Sequence, residues 1–502
     1  MPTLPAAVGI ATLLLALGPP GARTGGPASP SVASAQAPAE PLPHPTPAER
    51  SDYQAYAPPG EVVSYLDRLS REVDGLEVGV LPGSRVPVAR VASTGAESPL
   101  RVLVVAAQHG TERAGIEVAL RVVRDLVAGR LAKLRSRLEV RVVPMANPEG
   151  VENRRRLSPD GIDLDRDHVR LEAPETRALW EEYTAWRPHL VLDLHEIGPS
   201  EYPLQVGVPT HPNAPGARRL ARYYLLPHVA NELARADVPF QEYAASWVDG
   251  ETAERAARPV RDTAAGGETH WFTPPALDPA YARNAFALAG SAAFYIATAS
   301  SRDIIGFRDR TERLYLAVSA LLKAAAVVSS EVAATYESAA RTPKDSLAVR
   351  ARYVETGPGA SQPWIFVNER GQREQGRLRP WRSRVSVERR LPAPAGWWVE
   401  ADRRGLIAAL RGHGFETRDS APERRAAAPA AMAYAGCPDD ADPVAAEPPA
   451  DALWVPADQP GGRLLFTLIE PGSRGGWFRS GDGTPTAECG ADGRYPVYRA
   501  SP

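Results

Sequence analysis

The sequence predicts an α/β fold, with a mixed, largely parallel sheet flanked by helices and a smaller C-terminal α/β or mostly β domain. Three observations predict it. Three apolar runs end abruptly in polar residues: "RVLVVAAQHG" (101–110), "EVRVVPMANPEG" (139–150) and "HLVLDLHEIG" (189–198). Segments with apolar residues at helical spacing separate them, "AGIEVALRVVRDLVAGRLAKL" and "APETRALWEEYTAW". A continuous apolar run marks a strand buried on both faces, and strands alternating with helices build a sheet rich in parallel pairs. Third, the chain has 502 residues, 44% hydrophobic and 24% charged, enough for a large core and more than one domain.

The elements follow in order. Residues 1–35 read as a signal peptide: an apolar stretch at 6–17 and a small-residue site at Ala33-Ser34-Ala35. Export, periplasmic or extracellular, is the expectation. Residues 36–52 read as a disordered Pro/Ala-rich spacer and 53–342 as the catalytic domain. Within it, "RNAFALAGSAAFYIATAS" (283–300) reads as a late strand and 303–340 as one long closing helix. Residues 343–362, polar and punctuated by Gly and Pro, read as a linker. In the C-terminal domain, 363–502, the segments "WIFV", "RVSVERR", "WWVEA" and "LLFTLI" read as strands and "RRGLIAALRGHG" as a helix. The tryptophans there (Trp364, Trp381, Trp397, Trp398, Trp454 and Trp477) are read as core packing rather than a binding surface. If the chain is exported, Cys437 and Cys489 are available to pair. A net charge of −2 offers no basic field for nucleic acid, and no polybasic patch predicts a stable membrane partner.

In sheets of this kind ligands bind outside the carboxyl ends of the strands. There the runs deliver His109 and Glu112, Asn147, and His195. Two imidazoles and one carboxylate are a common catalytic zinc set with one position left for water. The two Cys are in no CxxC or Cys/His cluster, which argues against a thiolate zinc site.

"QHGTERAG", "PMANPEG", "GIDLDRD" and "LDLHE", in this order, resemble the zinc carboxypeptidases, the carboxypeptidase A-like metallopeptidases, over roughly residues 55–325. The resemblance implies one Zn2+ per chain on His109, Glu112 and His195. It implies peptide or protein C-termini as substrate, cleaved by zinc-activated water. Asp163 matches the aspartate that supports a zinc-bound histidine. Arg166 matches the arginine that grips a terminal carboxylate, and Arg156 the one that polarises the scissile carbonyl.

The sequence departs from the family at two places. Asp165 stands where the family has asparagine beside the arginine, and a carboxylate there opposes a terminal carboxylate. The slot of the family's general-base glutamate reads Ala297, followed by Thr298. Glu268, in "GGETHWFT", is the substitute base considered; Glu196 is disfavoured because neighbours on a strand face opposite sides. The primary reading is a zinc metallocarboxypeptidase-like hydrolase. The alternatives are a catalytically impaired zinc-binding module for peptides and a zinc-dependent deacylase of N-acyl amino acids.

Overall fold

The computed structural model describes residues 43–95, 97–197, 203–243, 245–248, 270–273, 276–299, 306–340, 346–354, 357, 362–367, 373–378, 384–419, 431–435, 443–479 and 494–500. Its centre is an eight-stranded sheet built from β1 (Leu76–Val80), β2 (Pro87–Val91), β3 (Leu100–Ala106), β4 (Leu138–Val143), β5 (Leu190–Ile197), β6 (Leu204–Gly207), β7 (Phe240–Glu242) and, after the antiparallel pair β8 (Ala245–Val248) and β9 (His270–Thr273), β10 (Ala292–Ala299). The strand order is β1-β2-β4-β3-β5-β10-β6-β7. The middle four, β4, β3, β5 and β10, run parallel. The outer pairs β1–β2, β2–β4 and β10–β6 are antiparallel, and β6–β7 is parallel. The expected mixed, largely parallel sheet is the observed one.

Alternation along the central strands divides the molecule into two cores. Val102, Val104 and Ala106, Leu190, Leu192 and Leu194, and Phe294 and Ile296 face the first, which the helix Ala114–Ala128 and the helix Phe307–Val327 cover. Leu103 and Val105, Val191 and Ala293 face the second. The parity of β5 therefore sends Asp193 and His195 to the second face and Glu196 to the first.

That second core is shared along the chain. Trp180 and Phe286 belong to it together with Trp397, Leu406, Leu410, Phe415 and Trp477. Residues 43–502 accordingly form one compact unit. A second sheet of six strands carries Gly396–Val399 and Arg494–Ala500. Trp397, Trp398 and Trp477 are buried, as core packing requires. The side chains of Trp364 and Trp381, and residues Cys437 and Cys489, lie outside the described residues, as do residues 1–35, read as a signal peptide, and residues 36–42 of the expected spacer. The rest of that spacer is ordered, against expectation: Thr46 caps a short helix, Pro47–Arg50, and the buried Ala48 donates its N–H to Glu117 Oε2 at 3.4 Å.

Four local expectations are corrected. "LLFTLI" is the core of a helix, Gly462–Ile469, preceded by Gly461 at φ +80°. Its residues 464–469 are all buried, and an apolar run buried on every side carries no period to separate helix from strand. The first half of 283–300 is also a helix, Ala282–Leu288; Gly290 at φ +118° turns the chain, and only then does β10 begin. The long closing helix is two helices, Phe307–Val327 and Ser329–Ala340, meeting at 85°. No single described helix is long and apolar enough to cross a membrane. Finally, the stretch read as a linker contains a strand, Ser346–Val354, paired with Arg384–Pro392. Ala348 N–H there donates to Asn213 Oδ1 at 2.8 Å, and Leu347 and Val349 are buried; Arg350 and Arg352, in the second half of the strand, hid the pattern.

Candidate metal centre

The site forms where β3 and β5 end side by side. Ala107 takes φ +53°, a left-handed turn that stops β3 and redirects Gln108 and His109. The redirected backbone passes so close to the helix Pro148–Glu152 that a Cβ on Gly110 would lie 2.1 Å from the carbonyl carbon of Gly150. Asn147, at the end of β4, caps that helix: its Oδ1 accepts from Gly150 N–H at 2.9 Å. Its amide also reaches the Gln108 carbonyl at 3.3 Å, tying the two strand ends together.

Glu112 lies between the two histidines. Its Oε1 is 2.7 Å from His109 Nδ1 and its Oε2 is 2.9 Å from His195 Nδ1. The backbone N–H of Glu196 also donates to Oε2, at 2.9 Å. One donor atom from each of the three side chains lies within 4.8 Å of the other two, and all three residues are buried. The far nitrogen of each ring meets its own carboxylate. His109 Nε2 is 2.9 Å from Asp163 Oδ1, and His195 Nε2 is 2.9 Å from Asp193 Oδ2. A ring that gives its Nε2 proton to a carboxylate keeps Nδ1 for a cation. The chemistry of this donor set fits zinc.

The electrostatics of the metal-free chain follow. Burial opposes charge on His109 and His195, but the carboxylates on both sides of each ring overcome it and raise both pKa values. Burial likewise opposes ionisation of Glu112, and the two imidazoliums beside it hold its pKa well below the usual carboxylate range. Asp163 is also held low, against burial, by His109, Arg166 and Arg156.

The arginines converge on Asp163. Arg166 Nη1 pairs with it closely, and Arg156 Nη2 reaches it at 3.2 Å. Arg156 Nη1 also lies 3.4 Å from Glu112 Oε1, and its side chain is 45% exposed, so it borders both the ligands and solvent. Arg166 donates to the Tyr281 hydroxyl at 3.3 Å. Asp165 is not at the surface beside Arg166. It is buried, with a carboxylate oxygen within 4.8 Å of both Asp193 and His195. Burial raises its pKa, with Asp193 adding to the effect and His195 opposing it. The expected clash with a terminal carboxylate is reduced accordingly.

Ala297 is paired in register with His195 across β10 and β5. Registered neighbours in a parallel pair share a face, so the Ala297 methyl lies on the His195 side of the sheet. Glu196 is on the other face: its carboxylate accepts from Ala114 N–H at 2.6 Å and pairs with Arg310 at 3.1 Å. Glu268 lies outside the described residues.

The sequence reading missed several groups. Tyr295 stacks on His195, with ring centroids 4.5 Å apart and 22° between planes. Asp193, two residues before His195, was readable from strand alternation alone. Gln108 and His168 were not: their partners are 85 and 60 residues away.

A family model described as "Succinylglutamate desuccinylase/Aspartoacylase catalytic domain" matches residues 99–226. Curated relatives include "Probable carboxypeptidase 2" of Arthroderma benhamiae, 37% identical over 100 residues, which are 20% of this chain and 19% of that protein. Carboxypeptidase 2 of Trichophyton rubrum is 34% identical over 111 residues, 21% of each chain. The chain thus spans about a fifth of the length of these relatives. Solved structures that resemble it include a metallo-carboxypeptidase from Pseudomonas aeruginosa (20% identity, TM-score 0.39, 54% of this chain and 68% of that one) and carboxypeptidase A from Helicoverpa armigera (14%, 0.40, 55% and 75%).

Proposed function

We propose that this chain is a zinc-dependent hydrolase of the metallocarboxypeptidase type, acting on peptide bonds near a free C-terminus. One observation carries the reading: two buried imidazoles turn their Nδ1 atoms to a single carboxylate while separate carboxylates hold both Nε2 atoms. His109, Glu112 and His195 would hold the metal. When bound, zinc supplies a Lewis acid for a carbonyl oxygen and a lowered pKa for a coordinated water.

The chain's own groups do the rest. Asp163 and Asp193 fix the two imidazoles. Arg156, half-exposed beside Glu112, is placed to meet charge that develops on a carbonyl oxygen. Arg166, partly offset by Asp163 and Tyr281, is the cation for a substrate's terminal carboxylate. The methyl of Ala297 moves no proton, so this strand lacks the family's base; Glu268 is the substitute we propose for it. An N-terminal export signal belongs to the same proposal, resting on the apolar run and small-residue site read from the sequence.

A second reading has an observation of its own. The match to the desuccinylase/aspartoacylase model over residues 99–226 favours a deacylase of N-acyl amino acids built on the same ligands. Zinc-loaded protein incubated with a panel of peptides and a panel of N-acyl amino acids separates the possibilities. Release of C-terminal residues supports the primary reading, and release of acyl groups supports the second. Full zinc occupancy with neither product overturns both in favour of a peptide-binding module.

A further inference from the structure

Behind His195 runs a chain of buried polar groups whose hydrogen bonds can point only one way. Trp180 Nε1–H donates to His168 Nδ1 at 3.0 Å. An indole nitrogen only donates, so Nδ1 of His168 is the bare nitrogen and the ring proton sits on Nε2. That proton goes to Gln108 Oε1, 3.0 Å away. The Gln108 amide is thereby oriented, and its Nε2 donates to Asp193 Oδ1 at 2.9 Å. The other oxygen of Asp193 lies 2.9 Å from His195 Nε2 as an ion-pair contact; the two atoms are buried and have no hydrogen-bond partner elsewhere among the described residues, so a small rotation of either group completes the bond. Every residue in the series is buried. Burial also keeps the His168 ring neutral, with its pKa drawn down to about 3.

The far end of the series is in the C-terminal part of the chain. His413 directly follows the helix Arg404–Gly412, and its Nε2 is 3.0 Å from the His168 carbonyl. Its ring also packs edge-on against Trp180, centroids 4.6 Å apart. Leu406, Leu410 and Phe415 place this segment on the face of the sheet from which Asp193 and His195 project.

We propose that Gln108 and His168, backed by Trp180 and His413, are positioning residues for the metal: a one-way relay that holds His195 as its Nε2–H tautomer and makes the C-terminal part of the chain a component of the centre. This rests on the reading of His109, Glu112 and His195 as ligands. Gln108 is the decisive link because it must accept from His168 and donate to Asp193 at once. Methionine fills its volume and does neither; glutamate accepts from His168 but cannot donate to Asp193.

The test measures zinc affinity of the full chain by competition with a chromophoric chelator, and the ¹⁵N shifts of the histidine rings in the zinc-loaded protein. The variants are Gln108→Met, Gln108→Glu, Trp180→Phe, His413→Ala and His195→Ala. Tyr183→Phe, in the same core but bonded through its hydroxyl to Ser291 at 2.7 Å, is the control for packing alone. Both Gln108 variants are expected to bind zinc about 10–100-fold more weakly, the range for groups behind metal ligands. Trp180→Phe removes the N–H along with part of the ring, and is expected to shift the His168 nitrogens away from a pure Nε2–H pattern. Tyr183→Phe is expected to match the parent in both readouts. The proposal is overturned if folded Gln108→Met and Trp180→Phe keep the parent's affinity and ¹⁵N pattern while His195→Ala loses zinc. If His195→Ala also binds zinc like the parent, the ligand assignment fails and the relay with it.

Discussion

Ala297 and His195 are register partners on neighbouring parallel strands, with both side chains on one face of the sheet. A proposed metal ligand and a residue without any proton-transfer group thus sit side by side. A longer side chain at 297 would extend beside His195.

Replacing Ala297 by glutamate is therefore expected to raise kcat on peptide substrates. General acid–base catalysis contributes about 10²–10⁴-fold, so a gain of that order identifies the missing base as the defect. Steady-state kinetics of the zinc-loaded variant beside the parent decide it. A parent already as fast as the variant means that another group, with Glu268 the first to test, carries the proton.

Asp163 holds His109 Nε2 and also receives Arg156 and Arg166. Asp163→Asn retains the shape and loses the charge. It is expected to weaken zinc binding about 10–100-fold. It also frees both guanidiniums from a shared partner, so tighter binding of a small dicarboxylate inhibitor is expected alongside weaker zinc. Isothermal titration of each ligand reads the two effects separately.

The sign of the pH dependence follows from the shifts. In the metal-free chain the raised pKa values of His109 and His195 contribute stability that is fully present below the unfolded value of about 6.5 and is lost as pH rises through the folded values. Glu112 and Asp163, both lowered, contribute stability present above their unfolded values of roughly 4 and lost as pH falls through the folded ones. Zinc displaces the histidine protons, so its affinity rises with pH. Thermal scans are expected to show a metal-free Tm falling above roughly pH 6.5, and a zinc-induced rise in Tm that is larger at pH 8 than at pH 6. A zinc increment independent of pH contradicts the protonated centre.

Gly110→Ala tests the geometry that delivers His109. The new methyl meets backbone of the 148–152 helix rather than a movable side chain, so the loop must shift. A loss of about 2–3 kcal/mol in urea unfolding is expected, with zinc affinity falling in parallel. Parent-like behaviour in both means that the strand end is more yielding than the packing indicates.

The central strands were legible in the sequence because a buried strand shows as an unbroken apolar run, and the abrupt polar residues at their ends pointed to the three side chains proposed as ligands, which the fold brings together. β3 and β5 supply both signals within ten residues. "LLFTLI" gave the same signal and is a helix, since burial on every side erases the period that separates the two. The helix Ala282–Leu288 was hidden in the same way, merged with β10 across Gly290. The relay was beyond local reading. Gln108, His168, Asp193 and His413 are ordinary polar residues in sequence, and only the fold makes each the partner of the next.

The most direct measurement is the metal content of the purified chain, by elemental analysis after dialysis against trace zinc, for the parent and for His195→Ala. One zinc per parent chain and a loss of most of it in the variant is the expected result. No transition metal in the parent, or equal zinc in both proteins, contradicts the claim that His109, Glu112 and His195 share one divalent cation.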